Sequence, residues 1–356
     1  MVVPGSIPRI ILLPGKPNFL LIKPQIYKHL SIAAPYRKGL SFLLKLLVLA
    51  LTVFYLYEAI YMSPGQKGEF WRYVLELLLD DNVAVLGIAV LLVALNWGLE
   101  AHKWSVLAKQ LEPMPFYKAL QAVLAGVTLG MITPNRVGDY AARSFLMENN
   151  HRIKALGAVF LGRMCQMHST AVFGSLGIFY FVGIRFLTNY PYVATGTFFF
   201  IVLVNAIFTV FLYNTRLLLP LVRGVKLLRP ILPALWMLQR YKSHTITRIL
   251  SISALRYCVF TLQFVLLLYA VDIALPVAAA FAGASSALLV KSLLPSFSFL
   301  SDIGVRELSA IHFFGLLGQN ETKVLAASLT LWVINIALPA LLGLLVVLKF
   351  RILKSK

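Results

Sequence analysis

From residue 39 onward, long apolar runs alternate with short polar or basic connections. The runs at 39–62, 83–104, 154–184, 191–214, 245–271 and 322–349 each reach spanning length, for which about 20 mostly apolar residues suffice. Two further runs, 115–132 and 274–294, end differently. Each leads into an irregular stretch that mixes glycine or proline with charge: "TPNRVGDYAAR" from residue 133, and "PSFSFLSDIGVRELSA" over 295–310. Ahead of residue 39, prolines interrupt every apolar segment, so 1–39 is expected to be a basic, Pro-rich cytoplasmic lead-in. In 215–244, leucines alternate with Arg216, Arg223, Lys226, Arg229, Arg240 and Lys242. Such a segment is expected to lie on a membrane surface rather than to cross it.

The runs repeat. A shift of about 166 residues lays 83–104 on 249–270, 115–132 on 281–298, Gly138 on Gly304, and 154–183 on 320–349, the kind of long-period self-similarity that marks duplicated units. Loop charge sets the orientation. The lead-in, 102–118, 215–248 and the basic tail 351–356 are rich in Lys and Arg and are expected to be cytoplasmic. The loops 63–82, 185–190 and 271–276 are poorer in them, and Glu69, Glu76, Asp80, Asp81 and Asp272 fall in two of the three. These assignments leave six full spans and make 115–150 and 274–318 enter and leave from opposite sides. The fold expected is an all-α polytopic membrane domain over 40–350. It holds two inverted repeats, 40–184 and 191–350, each with three spans and one re-entrant broken-helix hairpin. Eight full spans are the alternative.

Composition agrees. The 356 residues are 60% hydrophobic and 13% charged, with a mean hydropathy of +0.83, about half the charge of a soluble domain. The net charge of +20 would suggest nucleic acid in a soluble chain. Here it clusters between apolar runs, so anionic lipid headgroups are the expected partner and nucleic acid is not. Cys165 and Cys258 lie in apolar runs, so no disulfide framework is expected. No cleavable signal peptide is apparent. His102, His151, His168 and His312 show no ligand spacing with cysteine or acidic partners, so neither metal nor cofactor is expected.

The irregular motifs carry the candidate chemistry. Non-helical backbone at membrane depth is tolerated only where protein or a watery cavity surrounds it, and broken helices at matching places in two repeats point to a transporter's binding site. Thr133 then Pro134 reads as a hydroxyl N-cap followed by proline at the first helical position, and Ser301 is placed to cap the second short helix. Helix N-termini so placed suit phosphate or carboxylate. Asn135 and Arg136 lie at the tip, and Gly138 permits close backbone approach. Arg136 and Asp139 are spaced i, i+3, and Asp139 and Arg143 i, i+4. In the second motif Asp302 and Arg306 are i, i+4, with Gly304 and Glu307 beside them. Arg163, Gln166 and Thr170 mark one face of a span, as do Ser253, Arg256 and Gln263, and Lys291 lies in the second hairpin. Intramembrane charge of this kind costs roughly 2.5–3.5 kcal/mol per residue on insertion scales and reads as functional by default.

At "TPNRVGDYAAR" the chain resembles the flippase-like family named after the transmembrane region of lysylphosphatidylglycerol synthase. Thr133, Pro134, Arg136, Gly138 and Asp139 match that family's T-P-x-R-x-G-[DE] motif. Gly304, Arg306 and Glu307 match part of its second motif, where Ser301 and Asp302 stand near the usual glycine pair. The resemblance covers about residues 40 to 350. It implies an inner-membrane protein that moves lipids or polyprenyl-linked lipids between leaflets. With the loop charges and the basic motifs, the expectation is a multi-pass transporter of an anionic phospholipid or polyprenyl-linked lipid, both termini cytoplasmic, and not an enzyme. The chain ends at "FRILKSK", so the soluble aminoacyltransferase domain of some members is not expected. Two rivals stand beside this reading: a membrane-embedded transferase acting through Asp80 or Asp81, and a non-transporting partner of an envelope-synthesis enzyme.

Overall fold

Backbone amides in lipid find no water, so a spanning chain must satisfy its hydrogen bonds internally. The computed structural model describes residues 72–75, 83–148, 151–217, 232–294 and 299–354, and their regular structure is entirely helical. All of them fall within one compact unit, Leu47–Lys356. The expected first span at 39–62, the acidic pair Asp80–Asp81, the lead-in 1–39 and residues 218–231 of the basic surface segment lie outside the described residues.

Among the described residues, five helices are long and apolar enough to cross a membrane: α1 (Val83–Ala108), α4 (Arg152–Phe186), α5 (Pro191–Tyr213), α7 (Ser243–Ala270) and a last one in two parts, α10 (Glu321–Trp332) and α11 (Leu338–Lys354), joined by a π-helical turn at Val333–Ala337. Two apolar helices are shorter. α2 (Phe116–Ile132) and α8 (Val277–Leu293) have 17 residues each. At 1.5 Å per residue each reaches about 25 Å, less than the roughly 30 Å hydrocarbon core. α2 turns back into α3 (Val137–Phe145), and α8 is followed by α9 (Phe299–Gly315).

The helices pair reciprocally. α4 packs on α8, and α11 packs on α2, so each half's long helix covers the other half's short apolar one. α1 lies beside its counterpart α7 and runs the opposite way. Near the start of α1, the Ala89 carbonyl accepts from Gln263 Nε2 at 2.7 Å. Near its end, His102 Nε2 lies 3.1 Å from Arg248 Nη2. Apolar burial falls into two clusters. One, around Phe264, Ala284, Phe314 and Leu325, joins α7 to α8, α9 and α10. The other, around Trp104, Ala122, Val159 and Leu161, joins α1 to α2 and α4.

The described part of the basic surface segment contains no helix of spanning length. It holds a 3-10 turn at Thr215–Leu217 and the seven-residue α6 (Leu232–Leu238). α6 packs on α4, burying Ala234, Met237 and Leu238, while Arg240 and Lys242 are exposed. The Tyr241 hydroxyl pins the segment by donating to the Leu107 carbonyl at 2.8 Å.

Candidate functional site

The break between α2 and α3 arises from one hydroxyl and two unusual backbone conformations. Thr133 Oγ1 donates to the Leu129 carbonyl at 2.8 Å and accepts from Gly138 N at 2.7 Å, tying the end of one helix to the start of the next. Between them, Pro134–Arg136 form a 3-10 turn. Asn135 (φ 50°, ψ 25°) and Arg136 (φ 55°, ψ 33°) are left-handed. That conformation costs roughly 1–2 kcal/mol for a residue bearing Cβ, and asparagine tolerates it best. The local sequence signal puts Thr133 at the N-cap and Pro134 first in the helix. Instead Arg136 is the N-cap residue and α3 begins at Val137, because the left-handed pair reverses the chain before the helix can start. Close approach then sets the hairpin. A Cβ on Gly138 would lie 2.1 Å from the Leu129 carbonyl oxygen, and one on Gly126 would lie 2.1 Å from Asp139 Oδ1.

That approach delivers Asp139 into a charge network. Its Oδ1 accepts from Arg143 Nε at 2.8 Å, and its Oδ2 accepts from Arg163 Nη2 at 2.5 Å. Arg143 continues to Glu100 Oε1 at 2.9 Å, and Glu100 Oε2 lies 2.7 Å from Lys103 Nζ and 3.1 Å from Arg256 Nη1. Gln166 Oε1 accepts from Lys103 Nζ at 3.3 Å and from Arg256 Nη1 at 3.2 Å. Two guanidinium groups also lie over aromatic faces, Arg143 at 5.6 Å from the Trp104 ring centre and Arg256 at 5.1 Å from that of Trp97. Each carboxylate therefore holds a cation from another element, and Arg143 and Arg256 are each fixed from two sides.

The network forms one wall of a cavity of about 470 Å³. The cavity runs between the α2–α3 tip (Thr133, Asn135, Arg136, Asp139, Arg143), α1 (Asn96, Trp97, Glu100), α4 (Arg163, Gln166, Thr170), α7 (Arg256, Tyr257, Phe260), the end of α8 (Lys291, Ser292) and the π-helical turn (Asn335). Among the described residues, five basic side chains, Arg136, Arg143, Arg163, Arg256 and Lys291, and two acids, Glu100 and Asp139, line the cavity. Arg163 is the open member of the Asp139 grip: its side chain is 36% exposed, against 5% for Arg143. Asn335 lines the cavity within a second polar layer, where it accepts from Asn96 Nδ2 and donates to Gln263 Oε1, both at 2.9 Å.

Residues 42–343 match the sequence profile described as the lysylphosphatidylglycerol synthase TM region. The chain belongs to this family. No curated protein matches it. As a family member it is a multi-pass membrane protein related to lipid handling, and its T-P-x-R-x-G-[DE] motif forms the strained tip described above.

In this member the two motifs part company. The cavity gathers Thr133, Asn135, Arg136, Asp139, Arg143, Arg163, Arg256 and Lys291. Pro134 sits in the tip backbone, and Gly138 faces α2 rather than the cavity. Gly304, Arg306 and Glu307 are buried and do not line the cavity. Arg306 bonds Glu307 beside it and donates to the Ser328 carbonyl at 3.0 Å, while Ser328 Oγ donates to Glu307 Oε1 at 3.1 Å. Glu307 is thus the acid that Arg306 meets among the described side chains. Ser301 lies inside α9, two residues past its start at Phe299, and so does not cap it. The side chains of Ser301 and Asp302 are outside the described set.

Sequence reasoning missed Glu100, Lys103, Asn96 and Asn335. The signal for the first two was present: an acid and a base at i, i+3 in "LNWGLEAHKW", inside an apolar run. Both cysteines are free. One histidine departs from expectation: Glu112, Glu148 and His151 bring ligand-type atoms within 4.8 Å of one another. Glu112 Oε2 lies 3.1 Å from both Glu148 N and His151 Nδ1, clasping the two loops. Chain separations of 36 and 39 residues hid this arrangement.

Proposed function

We propose that this protein moves an anionic lipid between leaflets, holding its phosphate-bearing headgroup in the central cavity while the acyl or prenyl chains stay in the bilayer. The observation that carries this reading is the ion-pair network on the cavity wall, in which four cations, Lys103, Arg143, Arg163 and Arg256, share two carboxylates, Glu100 and Asp139. Sharing leaves that cluster short of negative charge, which is costly in a poorly hydrated site, and an incoming phosphate supplies it. Arg163 and Arg256 are the more open arginines of the ion-pair network, and they exchange part of their carboxylate contacts for phosphate oxygens. Asp139 and Glu100 keep the guanidinium planes aimed for bidentate contact.

The α2–α3 and α8–α9 hairpins act as re-entrant elements of two inverted repeats in this reading. It is supported by the 17-residue length of α2 and α8, the reciprocal packing of α4 on α8 and α11 on α2, and the antiparallel course of α1 and α7. Rocking one repeat against the other would open the cavity to each leaflet in turn.

The test uses proteoliposomes that contain a fluorescent phosphatidylglycerol, with outer-leaflet dye quenched by an impermeant reductant. Wild-type protein should expose the inner-leaflet dye, and Arg256→Gln should slow that exposure at least about tenfold, the equivalent of about 1.4 kcal/mol. Wild-type liposomes that quench no further than protein-free ones would reject transport of this lipid class.

A further inference from the structure

We propose a second lipid site, apart from the cavity: a headgroup pocket for an anionic phospholipid at the bilayer surface, between the end of α1 and the start of α7. A pocket of about 250 Å³ lies there, lined among others by His102, Lys109, His244, Thr245 and Arg248. It shares no lining residue with the central cavity, and its lining includes no acidic side chain. Among the described residues, neither Lys109 nor Arg248 pairs with a carboxylate.

The geometry aims charge into this space. Arg248 Nη2 lies 3.1 Å from His102 Nε2. A guanidinium only donates, so His102 accepts there and keeps its proton on Nδ1, which fixes Arg248 at the pocket wall without neutralising it. His244 and Thr245 belong to the first turn of the 28-residue α7, whose N-cap residue Lys242 provides no side-chain cap. The positive end of the helix dipole adds to the two permanent charges.

Depth and flank identify the occupant as a lipid. The 26 residues of α1 span about 39 Å, more than the roughly 30 Å hydrocarbon core, so its last turns stand at headgroup level. One and two heptads beyond Arg248, Leu255 and Leu262 are exposed on α7. Seven and eleven residues before His102, Leu95 and Leu91 are exposed on the antiparallel α1. An apolar strip therefore runs from the pocket into the membrane, where acyl chains can lie while the phosphate meets Arg248 and Lys109. Basic pockets of this kind between spanning helices recognise anionic headgroups.

The site does not depend on transport, so it is tested by binding. The full chain, purified in detergent and stripped of lipid, is titrated with dioleoyl phosphatidylglycerol and read by native mass spectrometry. The double variant Lys109→Gln/Arg248→Gln should lose one bound lipid, its occupancy falling at least about fivefold, while Arg163→Gln keeps that lipid. Both changed residues are exposed, so the melting temperature should stay at the wild-type value. Phosphatidylcholine should not replace the lost lipid, and inorganic phosphate at equal concentration should not displace it. Wild-type occupancy in the double variant would overturn the proposal. So would equal binding of phosphatidylcholine, loss of the same lipid in Arg163→Gln, or displacement by inorganic phosphate, which would mark a free-anion site.

Discussion

The α2–α3 segment and α9 both carry an arginine beside an acid, yet they use them oppositely. In α2–α3, Asp139 is shared between Arg143 and Arg163, and Arg163 opens to the cavity. In α9, Arg306 and Glu307 close on each other and on Ser328 of α10, and neither lines the central cavity. The first arrangement keeps a cation within reach of a ligand. The second commits its charges to joining two helices. Two residues at matching motif positions therefore need not play the same role. What decides is the face of the helix that a residue occupies and the element packed against it.

Three experiments would break or sharpen this contrast. The largest effect is expected in the α9 pair. Glu307→Ala leaves Arg306 buried without its carboxylate, and loss of one partner of a buried pair costs about 3–5 kcal/mol. Adding Arg306→Met should recover most of that stability in thermal denaturation, with transport per folded molecule unchanged. Slower transport in the folded double variant would place the pair in the mechanism and erase the contrast.

Next in size is Arg163→Gln, which keeps the Arg143–Asp139 contact but removes the open cation. Lipid movement should fall about tenfold, equivalent to about 1.4 kcal/mol, with little change in melting temperature. A large loss of stability with transport retained would make Arg163 a structural strut like Arg306. The smallest effect concerns the strained tip. Arg136→Gly should relieve about 1 kcal/mol of left-handed strain and raise the melting temperature, while transport declines. A fall in stability would mean that the arginine side chain holds the tip more firmly than its backbone strains it.

Much of the helical frame was legible, because membrane helices announce themselves by length and apolarity. The expected runs at 83–104, 154–184, 191–214 and 245–271 lie within a few residues of α1, α4, α5 and α7. The Asp139–Arg143 pair and the common face of Arg163, Gln166 and Thr170 were legible too, since helical spacing alone brings such residues together. Glu100 was not. Its partners Arg143 and Arg256 lie 43 and 156 residues along the chain, and no local period encodes that meeting. The late start of α3 escaped for another reason: Thr133–Pro134 is a sound local N-cap signal, and only the demand that α3 fold back on α2 makes Asn135 and Arg136 left-handed. For α9, the expected pairing of Asp302 with Arg306 falls on a side chain outside the described set, and the described contact of Arg306 with Ser328 spans 22 residues of chain, which no local period encodes.

The π-helical turn at Val333–Ala337 has a consequence for the last spanning helix as an object with phase. Such a turn behaves as an inserted residue, and one extra residue rotates everything beyond it by about 100° around the axis. α10 and α11 therefore need not present one continuous stripe. Upstream, Val324 and Leu325 sit in the apolar cluster shared with α7, α8 and α9. Downstream, Ala340 accepts from Thr128 through its carbonyl at 2.7 Å, and the bare face of Gly343 lies against the Leu124 carbonyl. The insertion uncouples these two docking problems, so one helix serves two neighbours whose angular positions a regular helix would have had to reconcile. Removing one residue between 333 and 337 would restore a single phase and swing Ala340 and Gly343 off α2, even though every remaining side chain would be unchanged.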